Sequence, residues 1–406
     1  MTDATIAAGL RLLGRPNVAK MFVAYLVTYT GSAMAPIAMA FGVLELTGST
    51  SDASVVIAAP TLASIFVLLL GGAIADRTSR HKIIYLADTF SMCAQACMAF
   101  LFLSGYATIP LLTLFMLLNG VSIAFHIPAL TGFIVQLVSR EELQSTNAIL
   151  GTARNGAVAG GAALGGVLVA TVGPGMTLLI DALTFGVAAI LIFTAKPNPQ
   201  ATTPQASIIN DLKVGWQEFT SHTWLWVIVI QFSLIVASME AVFGLLGPAV
   251  TRDYMDGAKD WGLIASGFGL GTLMGGLWAM RLRPKHPMRL ATILVFTFAG
   301  VPLALYFGSP LYAVVLAAIF NGFNGQIFAV LWYTTLQSKV PHEKLSRVSA
   351  YDHLGSIALA PLGIVAAGFL YETIGPENTL LVAIATVVIP TMLTLCVSDV
   401  RRMTSD

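Results

Sequence analysis

The sequence predicts an all-α membrane protein with twelve transmembrane helices in two pseudo-symmetric six-helix bundles. Three observations predict it. Of 406 residues, 56% are hydrophobic and 10% are charged, where soluble domains carry roughly 25% charged residues. Twelve apolar runs reach the about 20 residues that a spanning helix needs. The second half of the chain also repeats the first.

The runs lie at about 20–45, 53–75, 83–104, 109–137, 144–171 and 175–195, then at about 223–248, 260–280, 288–307, 310–337, 346–370 and 377–397. The N-terminal stretch before them is polar or weakly amphipathic, and the first run is too long for a signal-peptide core, so no cleaved signal is expected. Lysine and arginine set the orientation. With both termini in the cytoplasm, the inner segments hold eighteen of them, and the outer loops hold only Arg252 and Lys259. Arg154 falls inside a helix. This bias places both ends on the inner side of the cytoplasmic (inner) membrane.

Residues 196–222 divide the chain into bundles 1–195 and 223–406. KPNPQATTPQ is a linker by its prolines, and Ile208, Leu212, Trp216 and Phe219 then fall on one face of a short amphipathic helix. At a shift of 202 residues, SREELQSTNA (139–148) lies over PHEKLSRVSA (341–350). Asn119-Gly120 lies over Asn321-Gly322, and Gly173-Pro174 over Gly375-Pro376. Parallel repeats joined by a cytoplasmic linker suit alternating access, in which two bundles rock about a central site.

The net charge of +1 gives no reason to expect nucleic acid as a partner. Cys93, Cys97 and Cys396 form no disulfide framework and no zinc spacing, so no metal and no cofactor are expected. The sequence carries no nucleophile elbow and no phosphate loop, which argues against an enzyme. The expected partners are a small-molecule substrate, protons and the lipid bilayer, with the chain a monomer.

One stretch breaks the low charge density. GGAIADRTSRHK (71–82) crowds Asp76, Arg77, Arg80, His81 and Lys82 between two apolar runs. It resembles the loop between helices 2 and 3 of the major facilitator superfamily, with Gly72, Asp76, Arg77 and Arg80 in place and Ser79 where many members have Gly. The resemblance covers essentially the whole chain. It implies an inner latch, in which the Asp caps a helix of the other half and the Arg residues meet nearby acids. The eleventh segment, starting near Arg347, is the natural partner of Asp76, and Asp352, one to two turns into it, can accept Arg77 or Arg80. The bland alternative is that these charges merely solvate a loop.

RNGAVAGGAALGG (154–166) is similar to the glycine-rich helix 5 motif of the antiporter members, with Ala162 in place of the usual Pro. With LELTGS (44–49), ADRTSR (75–80) and LLIDALTF (178–185), it resembles the subgroup holding the enterobactin exporter and several drug-resistance exporters. Met116 stands where drug antiporters often carry an Arg before Gly120, which removes a proton route through that Arg.

An ionisable group at the bilayer centre is costly and faces the protein interior. Glu240, ~25 Å along its helix, is either the proton-coupling carboxyl or an acid in a water-filled outer mouth. Asp88 and Arg154 differ by ~7.5 Å in axial height and are expected to form a structural ion pair. His126 is either a proton acceptor or a hydrogen-bonded core histidine, and Asp88 shares the coupling role if Glu240 lacks it. Asp181 reads as structural.

The resemblance implies that helices 1, 4, 7 and 10 line a central cavity. Their candidates are Tyr25, Tyr29, Asn119, His126, Gln231, Glu240, Phe243, Asn321, Asn324, Gln326 and Trp332. No Arg or Lys is among them to clamp a phosphate or carboxylate. Aromatic and amide side chains suit a bulky amphipathic ligand. The expected function is proton-coupled export of such a molecule, a drug or a siderophore. The alternatives are a facilitator or importer, or a membrane receptor or assembly partner without transport.

Overall fold

The computed structural model describes residues 11–77, 79–139, 141–195 and 208–404. Among them the structure is helical, with no strand. The first helices are α1 (Pro16–Thr47), α2 (Thr50–Arg77), α3 (Arg80–Ser104), α4 (Ile109–Leu137) and α5 (Leu143–Phe193). Next come α6 (Ile208–Ser221), α7 (Thr223–Ala241), α8 (Gly247–Tyr254) and α9 (Gly257–Ala279). The chain closes with α10 (Pro287–Leu294), α11 (Gly300–Tyr306), α12 (Leu311–Lys339), α13 (His342–Ile357), α14 (Ala360–Cys396) and α15 (Ser398–Arg402). A π-helical turn, Val242–Leu246, joins α7 to α8, and a 3-10 turn, Val295–Ala299, joins α10 to α11.

These helices form because their runs are apolar on every side and because their ends are marked. Pro16 and Pro287 sit at first-turn positions, where a missing N–H costs nothing. Many large apolar side chains point outward, among them Phe66, Phe100, Ile190 and Phe369, while Asp88, Asp181, Gln231 and Asn321 are buried. Water would reject that arrangement and hydrocarbon accepts it.

Ten spans of the described residues are long and apolar enough to cross a membrane. Two of them, Leu143–Phe193 and Arg347–Cys396, run to 51 and 50 residues. A straight helix of that length would measure ~75 Å, more than twice the about 30 Å hydrocarbon core. The first is broken at Gly173, the second at the turn between α13 and α14 and again at Gly375. Gly173 stands at φ 84°, ψ 169° inside α5, and Gly375 at φ 84°, ψ 167° inside α14. Backbone of that kind is open essentially to glycine alone, and Pro174 and Pro376 then begin the next arm. The two glycine breaks fall in the gaps between predicted apolar runs, 171–175 and 370–377.

The chain packs as two compact units. Met1–Thr202 with Thr251–Ser266 forms one, and Thr203–Val250 with Gly267–Asp406 forms the other. In the first, α5 lies against α1 and α3, and α2 lies against α4. Its core holds Met21, Ile84, Phe133, Leu150 and Ile192. Gly120 of α4 touches the Pro60 backbone of α2 so closely that an added Cβ would strike the Pro60 carbonyl. At Gly166 the facing surface is Ala258 and Gly262, and Arg252 Nη1 donates 2.9 Å to the Leu44 carbonyl.

In the second unit α7 packs on α13 and α14, and α12 packs on α10 and α11. Trp224, Leu225, Ile228, Phe328, Trp332 and Val387 belong to its core. Gly322 of α12 meets the Phe268 carbonyl of α9 as Gly120 meets Pro60. The repeated Asn-Gly pairs therefore do the same work: a helix lacking one Cβ lets its neighbour's backbone approach.

Candidate functional site

The first unit holds a buried acid–base pair. Asp88 on α3 and His126 on α4 bring Oδ1 and Nδ1 to 3.0 Å, with side chains 2% and 18% exposed. Two serines fix the helices that carry them. Ser91 donates to Ser122 Oγ at 2.8 Å, and Ser122 donates to the Ala87 carbonyl at 2.6 Å. The pair lies beside Tyr25 and Tyr29, whose rings are 4.4 Å apart. The cavity there measures only about 10 Å³, barely the room one water needs. Such a place can hold and pass a proton, and it cannot hold an organic ligand.

This corrects one expectation. Asp88 meets His126 rather than Arg154, which is exposed on α5. The axial estimate was compatible with an Arg154 contact, but contact also requires both side chains to point at each other around their helix axes.

Asp181 is fully buried on the second arm of α5. Its Oδ2 has no hydrogen-bond partner among the described residues, and Oδ1 lies 3.3 Å from the Thr184 hydroxyl. Gly31 of α1 makes room for it, since a Cβ there would strike Thr184 and Asp181. That facing glycine was the available signal for its depth, and sequence reasoning passed over it.

In the second unit Glu240 is exposed near the end of α7. A carboxyl in a membrane span cannot face lipid cheaply, so its exposure points to water within the protein. Gln231 donates to Thr391 Oγ1 at 3.0 Å, and Asn321 lies 3.6 Å from Met239 Sδ. Both belong to the interior of their unit. Asn119, Asn324 and Trp332 are also buried, while Tyr25, Tyr29, Phe243 and Gln326 are half-buried. Phe243 packs on Phe268, with ring centroids 5.0 Å apart.

Of the expected latch, Asp76 and Arg77 lie outside the described side chains. Arg80 Nη1 donates to the Gly132 carbonyl at 3.1 Å, and His81 Nε2 lies 2.6 Å from the Ile192 carbonyl. Asp352 is buried, and its Oδ2 accepts the Trp332 indole N–H at 3.0 Å. It borders a cavity of about 260 Å³ walled by Phe232, Phe328 and Trp332. Among the described residues no cluster of His, Cys, Asp and Glu could hold a metal ion.

The family model of transmembrane secretion effectors, a group within the major facilitator superfamily, matches residues 9–406. The chain belongs to that family. It is therefore a major facilitator transporter, a multi-pass membrane protein, and not an enzyme. It is similar to the enterobactin exporter EntS of Citrobacter koseri, 25% identical over 398 residues, covering 95% of this chain and 93% of that one. The enterobactin exporter EntS of Salmonella typhi matches at 25% identity, over 95% and 94%.

Solved structures agree on the fold. The nucleoside transporter NupG superposes with a TM-score of 0.73 at 13% identity, covering 94% of this chain and 98% of that one. A bacterial homologue of the iron transporter ferroportin, in an inward-facing state, gives 0.72 at 15%, covering 95% and 98%.

Proposed function

We propose that this transporter exports an amphipathic small molecule, siderophore or drug-like, across the cytoplasmic membrane in exchange for protons. The observation that carries the reading is the Asp88–His126 contact of 3.0 Å inside the membrane spans. An acid and an imidazole held together away from water can accept a proton from one side and release it to the other. Exposed Glu240 serves as the second carrier in the other unit. The names of the EntS relatives support a siderophore as one substrate class.

In this reading residues 1–195 and 223–406 are two six-helix bundles with both termini in the cytoplasm. They exchange access to a central site, and 196–222 link them. Asp76, Arg77, Arg80 and Asp352 form the inner latch. The protein works as a monomer.

The test is transport in proteoliposomes with an imposed pH gradient and enterobactin as the probe. Export should stop when an ionophore collapses the gradient. Asp88→Asn and Glu240→Gln should each lower gradient-driven export while leaving exchange without a gradient largely intact. Export that persists unchanged after collapse rejects proton coupling.

A further inference from the structure

The cavity of about 260 Å³ in the second unit is lined by α7, α12 and α13. Its walls are aromatic. Phe232 and Phe328 stack with centroids 4.1 Å apart, and Phe328 and Trp332 stack at 6.2 Å with planes 14° apart. Trp224 supports Trp332 edge-on at 5.5 Å. Asp352, 7% exposed, lies at this wall, and the Trp332 indole N–H fixes its Oδ2 at 3.0 Å. No Lys or Arg pairs with Asp352 among the described residues, since Lys344 is engaged by Glu218 at 2.7 Å. His353 also lines the cavity.

A buried carboxylate without a counter-ion is costly. Aromatic faces beside it attract cations through their quadrupoles. The volume lies just below the range of whole drug-sized sites, so it suits a ligand's head rather than an entire ligand. We infer that this pocket binds the aryl-ammonium head of an amphipathic ligand, with Asp352 as its counter-charge and Phe232, Phe328 and Trp332 as its walls. Indole anchoring of Oδ2 leaves Oδ1 to meet the incoming cation. The inference deepens the export reading by assigning a substrate class, and rests on that reading only for its purpose.

The test is binding, not transport. Isothermal titration at pH 8 of the full-length protein in detergent uses benzyltrimethylammonium as the cationic probe and phenylacetate as an anion of similar shape. The parent should bind the cation and not the anion. Asp352→Asn keeps an acceptor for Trp332 and removes the charge, and should weaken the cation by about tenfold or more. Phe328→Leu keeps the site apolar and should weaken it by a smaller factor. If Asp352→Asn does not give folded protein, Phe328→Leu and the anion control decide. Equal binding of cation and anion, no binding by the parent, or full binding by Asp352→Asn would each overturn the proposal. Failure of gradient-driven enterobactin export, by contrast, would sink the export reading and leave this site standing.

Discussion

At the scale of single residues, the Asp88–His126 contact ties stability to function. Removing one member of a buried hydrogen-bonding pair leaves the other unpaired, at a cost of about 1–3 kcal/mol. Asp88→Asn and His126→Gln should therefore each lower the unfolding temperature of the detergent-solubilised protein. The double variant should lose clearly less than the sum, because neither group is then left stranded. Additive losses in a thermal-shift cycle would show that the two side chains do not depend on each other. The pair was only half legible in the sequence. That Asp88 and His126 must point inward follows from the cost of charge in lipid. Their pairing did not follow, because α3 and α4 are apolar on all sides and their periodicity carries no rotational phase. Arg154 had the right height and the wrong direction.

At the scale of elements, the amphipathic helix α6 shows what spacing can and cannot reveal. Trp216 and Phe219 lie on the expected face, and both pack on Tyr351 of α13, at 5.4 and 6.0 Å. The spacing identified the face but not the partner. Helix α6 is held there by Glu218, which meets Lys344 at 2.7 Å and His222 at 3.2 Å. The Lys344 ammonium, helped by His222, holds the Glu218 carboxyl below its usual range. A carboxyl depressed in the folded state stabilises above its unfolded value of about 4.3, and the contribution is lost as pH falls through the lower folded value. Trp216 emission should thus stay constant at neutral pH and shift toward that of a solvated indole in acid. In Lys344→Met the shift should begin at higher pH. An identical profile in the two proteins would remove the ion pair from the account. Close packing of α9 on α12 gives a second element-level test. Gly322→Ala would drive a Cβ into the Phe268 carbonyl, whereas at Gly276 the nearest atom is Gln326 Cγ at 3.6 Å. The first change should cost about 1–3 kcal/mol and reduce the yield of monodisperse protein, while Gly276→Ala should be tolerated. Equal yields would mean that the helices can separate freely.

At the scale of the whole molecule, the duplicated halves were the most legible feature. Gly173-Pro174 and Gly375-Pro376 are 202 residues apart in sequence, and they adopt the same backbone, φ 84° with ψ 169° and 167°. An added Cβ at either glycine would find nothing within 4 Å, so an alanine there meets only backbone strain. Gly173→Ala and Gly375→Ala should each cost about 1–3 kcal/mol, and by nearly the same amount, in parallel thermal melts. A large difference would show that the two kinks serve different ends. The boundary of the first compact unit was not legible, because hydropathy cannot reveal that Thr251–Ser266 belongs with residues coded long before it. This has a practical outcome for anyone dividing the gene. A polypeptide ending at 202 would present the Gly166 seam bare, with neither Gly262 nor Ala258 to cover it and no guanidinium to cap the Leu44 carbonyl. Such a fragment should clump when made by itself and become soluble in detergent only when the complementary fragment is made in the same cell.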